Sequence, residues 1–274
     1  MKPIIVAVSL ALIFLSLSGV RADDQLSVID AHIHYSHDAW SNLPPARAVD
    51  VLRASGLKRA FVSSSSDEGT QKLYALDEQL IVPVLRPYRR RGETGSWMHD
   101  PTVSDMLREL LARNRYAGIG EFHAFGDDID LPVLQTTIEL ARKYGIFLHA
   151  HSDAAAVERI FASNPEAIVL WAHSGFDSPE QIAPMLEKYP RLWSDLAFRS
   201  EHASGGEVDA RWRALFERFP DRFMVGTDTY TPERWYYVEE HANWSRGWLN
   251  TLPRDLAEKI AWRNADALLN AVGW

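Results

Sequence analysis

The chain of 274 residues contains no cysteine. That excludes disulfides, a thiol nucleophile and cysteine-based zinc modules, so any metal site must be built from histidine and carboxylate. No G-x-G-x-x-G follows the first apolar run, which removes the usual dinucleotide-binding reading. Low-complexity linkers, long charge blocks and repeats beyond a strand–helix unit are missing too, so nothing marks a second domain. Positive charge is scarce, with 29 Lys and Arg against 37 Asp and Glu. Nucleic-acid binding rests on phosphate neutralisation, so this balance argues against a polyanion partner.

Residues 1–22 read as a secretory signal peptide. Lys2 supplies the positive start, Ile4 to Leu17 the apolar stretch, and Val20-Arg21-Ala22 the small residues around a cleavage point. The expected product is periplasmic or secreted, with no stable membrane anchor after cleavage. Losing Lys2 and Arg21 takes the formal charge from −8 to −10. Residues 23–274 then match the size of one barrel domain, large enough to bury a substantial core.

Eight apolar, β-branched runs occur at Leu26–Ile33, Leu57–Ser63, Leu80–Leu85, Ala117–Phe122, Ile146–His149, Ala167–Ala172, Leu192–Ala197 and Phe223–Gly226. Helical patterns lie between them, opened by signals such as Pro44-Pro45, Asp100-Pro101, Asp130-Leu131-Pro132 and Ser178-Pro179-Glu180. Alternation of this kind implies right-handed crossovers and a parallel sheet. The expectation is an α/β fold, a (β/α)8 TIM barrel with extra C-terminal helices, ahead of an open doubly wound sheet. An aromatic stretch after residue 228, with Trp235, Tyr236, Tyr237, Trp244, Trp248 and Trp262, is expected to pack as helix against the barrel. The basic run Arg86, Arg89, Arg90 and Arg91 reads as a solvated loop.

Six of the ten histidines, one glutamate and one aspartate stand where an apolar run gives way to a loop. They are His32 and His34 in VIDAHIH, Glu121 and His123 in GIGEFH, His149 and His151 in FLHAH, His173 in VLWAHSG, and Asp228 in MVGTD. Such groups converge only if the runs are parallel strands ending at one barrel face, where barrel enzymes place their sites. His32 and His34 share strand parity and can bind one side of a metal ion. Asp228 can act as ligand and general base. One of His149 and His151 is expected on the metal and the other near it or on substrate. His173 would bind metal or polarise substrate, and His123 would touch substrate. Direct ligation by Glu121 is the favoured reading; orienting a histidine from behind is the alternative.

In these ordered motifs, with WRNADALL near the end, the chain resembles the amidohydrolase superfamily, most closely its amidohydrolase-2 branch of metal-dependent barrel hydrolases. The resemblance covers essentially all of residues 23–274. It implies His32, His34, His149 and Asp228 as metal ligands, His173 as the strand-six histidine, and Asp228 as the base. The glutamate in GIGEF is similar to the strand-four carboxylate of TatD-type deoxyribonucleases, which leaves one or two divalent ions open, zinc being expected. No lysine stands at that strand end, so a carbamylated-lysine site is excluded.

The leading expectation is hydrolysis of a small-molecule ester, lactone, amide or phosphoester by water activated on the metal. A decarboxylase of a carboxylate-bearing ring is the first alternative, with Arg86 and Arg199 clamping the anion. A TatD-like metallonuclease is the second, and a non-enzymatic binding protein the third. Trp171 and Phe125 hint at an apolar pocket wall.

Overall fold

The computed structural model describes residues 25–274, so the expected signal segment lies outside the described residues. Eight parallel strands alternate with helices. In chain order they are β1 (Val28–Ile33), α1 (Pro45–Ala54), β2 (Leu57–Val62), α2 (Asp67–Tyr74), β3 (Ile81–Leu85), α3 (Thr102–Arg113), β4 (Gly118–His123) and α4 (Pro132–Tyr144). The second half runs β5 (Phe147–His151), α5 (Ala154–Ser163), β6 (Val169–Trp171), α6 (Pro179–Lys188), β7 (Leu192–Asp195), α7 (Ala210–Arg218) and β8 (Phe223–Met224). α8 (Val238–Leu249), α9 (Arg254–Glu258) and α10 (Asn264–Ala271) follow. Each strand pairs in parallel with the next in sequence. Backbone bonds from Ala31 N to Val225 O (2.9 Å), Asp228 N to His32 O (2.8 Å) and His34 N to Thr229 O (3.0 Å) carry the sheet round to its start. The fold is the expected TIM barrel with C-terminal helices. Among the described residues no helix is long and apolar enough to cross a membrane.

Packing explains why this sequence closes into a barrel. Ile29, Ala31, Phe61, Val82, Val84, Phe147, Leu170 and Met224 fill its inside, joined by Leu268 and Leu269 of α10. A larger apolar layer joins strands to helices. Gly118 is required by this interior, since a Cβ there would lie 2.4–2.7 Å from the Phe147 ring. The register of β1 on β2 slips between Asp30 and Ile33. That irregularity lets Ile29 and Ala31 pack inside while His32 and His34, one step out of phase, also face the axis.

The aromatic C-terminal stretch packs as expected in part. Trp235 and Trp248 are buried, and the Trp235 indole donates to His34 O (3.2 Å). Tyr236 and Tyr237 stay exposed.

Candidate metal centre

His32 and His34 leave β1, Glu121 lies in β4, and Asp228 follows β8. One ligand atom from each falls within 4.8 Å of all the others. His32 Nε2 is 3.5 Å from Glu121 Oε2 and 3.6 Å from Asp228 Oδ1. His34 Nε2 is 3.2 and 3.1 Å from the same two oxygens. All four residues are buried.

Three imidazoles have their outer nitrogen committed. His32 Nδ1–H donates to Asp195 Oδ2 (3.1 Å), His34 Nδ1–H to Ser63 O (2.6 Å) and His173 Nδ1–H to Ala197 O (2.9 Å). Each Nε2 therefore points a lone pair into the cluster. His32 Nε2 and His34 Nε2 stand only 3.2 Å apart. Buried with no hydrogen-bond partner are His173 Nε2 and Asp228 Oδ1. Close imidazole nitrogens and orphaned buried acceptors suit a cation, and two imidazoles with two carboxylates suit a divalent ion. The residues fit a metal.

The electrostatics point the same way. Burial alone would depress the His32 imidazole, but Asp228, Glu121 and Asp195 around it hold it well above the ordinary range. Burial opposes ionisation of Glu121 and Asp195, yet His32 and the neighbouring imidazoles keep both well below the usual carboxylate range. Asp228 is lowered against its burial, chiefly by His32 and His34. His173 is raised against its burial, chiefly by Glu121 and Asp195.

Glu121 faces two ways. Its Oε2 joins the cluster and accepts from Arg86 Nη2 (2.8 Å), while Oε1 accepts from His151 Nδ1 (2.8 Å) and lies 3.5 Å from His173 Nε2. Arg86 Nε also donates to Glu121 O (3.2 Å). Arg86 is therefore buried in the site, contrary to its reading as part of a solvated loop. His123 stacks on His151 at 4.0 Å and takes two bonds from Tyr88, whose hydroxyl donates to Nδ1 (2.9 Å) and accepts from the His123 N–H (2.7 Å). Burial pushes His123 down to about 3, so it is neutral.

Three sequence expectations change. His149, expected as the strand-five ligand, is not brought into the four-atom cluster. Its Nε2 bonds Asp195 Oδ2 (2.9 Å), and burial beside His32 pushes it down to about 4. His151, one layer higher on β5, is the histidine that meets Glu121. Arg199 does not reach the cavity as a clamp. Its guanidinium donates to His173 O (2.8 Å) and Asp177 O (2.6 Å) and stacks on Trp212. Trp171 is fully buried with its N–H on Ser152 O (2.7 Å), so it is core and not pocket wall.

Asp195 is the residue that sequence reasoning missed. The LWSD run ends on it at the mouth of β7, a strand-end carboxylate like Glu121 and Asp228, and that position was the available signal. Oδ2 takes His32 and His149, while Oδ1 accepts from His173 N and Ala197 N, both at 3.0 Å. A cavity of about 410 Å³ opens above the cluster, lined by Arg86, Glu121, His123, His151, His173 and Asp228 among others.

The model of the amidohydrolase family, Amidohydro_2, matches residues 29–271. The chain belongs to the amidohydrolase family. It is an enzyme of the metal-dependent hydrolase type.

No curated protein matches this amidohydrolase significantly. Similar solved structures include a TIM-barrel protein of Bordetella bronchiseptica, 15% identical, with a TM-score of 0.62 over 91% of this chain and 100% of that one. A TatD homolog of Escherichia coli K12 is 17% identical, with a TM-score of 0.61 over 89% and 98% of the two chains. A putative 2-pyrone-4,6-dicarboxylic acid hydrolase of Pseudomonas putida is 15% identical, with a TM-score of 0.57 over 90% and 98%. At these identities the likenesses carry the barrel and no more.

Proposed function

We propose that this amidohydrolase hydrolyses a small-molecule ester, lactone, amide or phosphoester, with its metal held by His32, His34, Glu121 and Asp228. The observation that carries the reading is the convergence of their four ligand atoms within 4.8 Å, with Asp228 Oδ1 and His173 Nε2 orphaned beside them. When bound, a divalent ion, zinc being the expected one, supplies Lewis acidity and lowers the pKa of water.

The chain's own groups supply the rest. Asp228, kept ionised by His32 and His34, receives a proton from the attacking water and returns it to the leaving group. His173, whose affinity for a proton is raised, donates from Nε2 to the oxygen that gains charge on the electrophile. Arg86 and His151 fix Glu121 from either side. A second ion would take one of the two further carboxylate–histidine groups at this mouth, Glu121 with His123 and His151 or Asp195 with His32 and His173.

Hydrolysis is favoured over decarboxylation because neither expected anion clamp is free: Arg86 is held by Glu121, and Arg199 by backbone carbonyls. Export through the segment 1–22, and hence a periplasmic or secreted site of action, belongs to the same proposal and rests on the sequence. The test combines elemental analysis with a panel of esters, lactones, amides and phosphoesters. One or two metals per chain are expected, with activity lost on chelation and restored by zinc. Asp228→Asn should lower kcat by roughly 10²–10⁴-fold. Full activity in metal-free protein would overturn the reading.

A further inference from the structure

The cavity mouth has two unlike halves. On one side stand Phe176 after β6, Phe198 after β7 and Tyr230 after β8, with Phe125 after β4 beside His151 at 6.0 Å. All four rings are exposed to between 43% and 54%, although large apolar side chains on a soluble surface usually mark a contact site. They form a continuous collar. Phe176 stacks on His173 at 4.7 Å and 18°, and Phe198 lies 5.9 Å from His173 and 6.0 Å from Tyr230.

Backbone geometry shows that this placement carries a cost. Phe176 has φ 58° and Phe198 φ 54°, a left-handed conformation that bulky residues rarely adopt. Strain of this sort collects where a side chain must be aimed for a ligand. The rest of the lining includes the polar residues Ser36, Ser65, Arg86, Arg91 and Thr94, with the Arg91 guanidinium 5.9 Å over the Tyr230 ring.

Neither arginine in that polar half is uncommitted. Arg86 is bonded to Glu121, and Arg91 is paired with Asp38. A guanidinium already paired with a carboxylate is largely neutralised, so this half suits hydroxyl and carbonyl groups better than a further anion.

We propose that the cavity takes a neutral ester or lactone bearing an aryl ring, the ring against Phe176, Phe198 and Tyr230 and the polar edge facing Ser36, Ser65 and Thr94. This specificity rests on the hydrolase reading above. For an aryl lactone the water oxygen bonds to the carbonyl carbon and the acyl–oxygen bond breaks. The phenolic oxygen takes the proton, leaving a hydroxyaryl carboxylic acid with no oxidant or reductant needed.

Binding to the zinc-loaded chain by saturation-transfer NMR tests it with three probes: dihydrocoumarin, δ-valerolactone without the aryl ring, and coumarin-3-carboxylate. Dihydrocoumarin should bind at least about tenfold more tightly than δ-valerolactone, and coumarin-3-carboxylate no more tightly than dihydrocoumarin. The double variant Phe176→Ala and Phe198→Ala, altered only at exposed rings, should lose that preference, while Phe176→Tyr with Phe198→Tyr keeps it. Equal binding of the two lactones, or tightest binding of coumarin-3-carboxylate, overturns the assignment. Ring opening of dihydrocoumarin is followed separately by absorbance. Selective binding without turnover of any ester or lactone would defeat the hydrolase reading and leave the ring assignment standing.

Discussion

At the scale of single residues, Asp195 fixes which nitrogen of His32 faces the cluster. Its Oδ2 accepts the Nδ1 proton of His32, which leaves the lone pair on Nε2, inside the cluster. In Asp195→Asn an amide NH₂ would occupy that place and donate to Nδ1, moving the imidazole proton to Nε2. Flipping the amide gives no escape, because the NH₂ would then face the N–H groups of His173 and Ala197. Metal affinity should fall about 10–100-fold, measured by competition with a chelator. Affinity equal to that of the original chain would mean that Asp195 only packs. Motif reading passed over Asp195 because it lies inside the apolar run Leu192–Ala197, whereas Asp228 stands after the run Phe223–Gly226. Sequence position alone does not separate His149 from His151. Both have the right parity on β5, and only the depth of the Glu121 and Asp195 carboxylates separates them.

Among the elements, the strands were legible and the turns were not. All eight apolar runs became strands, because burial on both faces of a parallel barrel strand demands near-continuous apolar sequence. The turns that aim His173, Phe176, Phe198 and Asp228 all use positive φ at residues other than glycine, which composition does not announce. In the loop after β3, Arg89, Arg90 and Arg91 are exposed as expected, and of that run only Arg86 is buried. Glu93 accepts from the Arg89 N–H (2.8 Å) and Arg89 Nη2 (3.0 Å), and the same loop supplies Arg91, Gly92 and Thr94 to the cavity. Burial works against the Glu93 charge, but the Arg89 bonds hold its carboxyl below the usual range. A depressed carboxyl stabilises the fold above its unfolded value, roughly pH 4.3, and that contribution fades as pH falls through the lower folded value. Glu93→Gln should therefore melt about 2–4 °C below the parent at pH 7, with the gap closing towards pH 3. Its KM should rise with kcat unchanged, since the loop shapes binding and not chemistry. A gap that persists at pH 3 would place the effect in packing instead of charge.

For the whole molecule, the metal cluster straddles the seam where the barrel closes. His32 and His34 lie at the end of β1 and Asp228 in the chain leaving β8, and two of the three backbone bonds that join these edges run through the same residues. β8 itself is only two residues long, so the closing edge has little ladder of its own. Without a cation, Glu121 and Asp228 oppose each other across this short seam, and Glu121 works against ionisation of Asp228. A bound ion removes that repulsion and adds bonds that span β1, β4 and β8, so binding should stabilise the seam more than the distant wall. Hydrogen exchange can measure this directly. On zinc loading, the amides of Ala31, His34 and Asp228 should slow at least about tenfold more than that of Val169, which donates to Arg191 O in the β6–β7 pair, where none of the four proposed ligands lies. Equal slowing at all four amides would mean that the metal stabilises the barrel as one cooperative unit. No slowing at the seam would mean that closure is complete without it, and the four ligands would then serve chemistry alone.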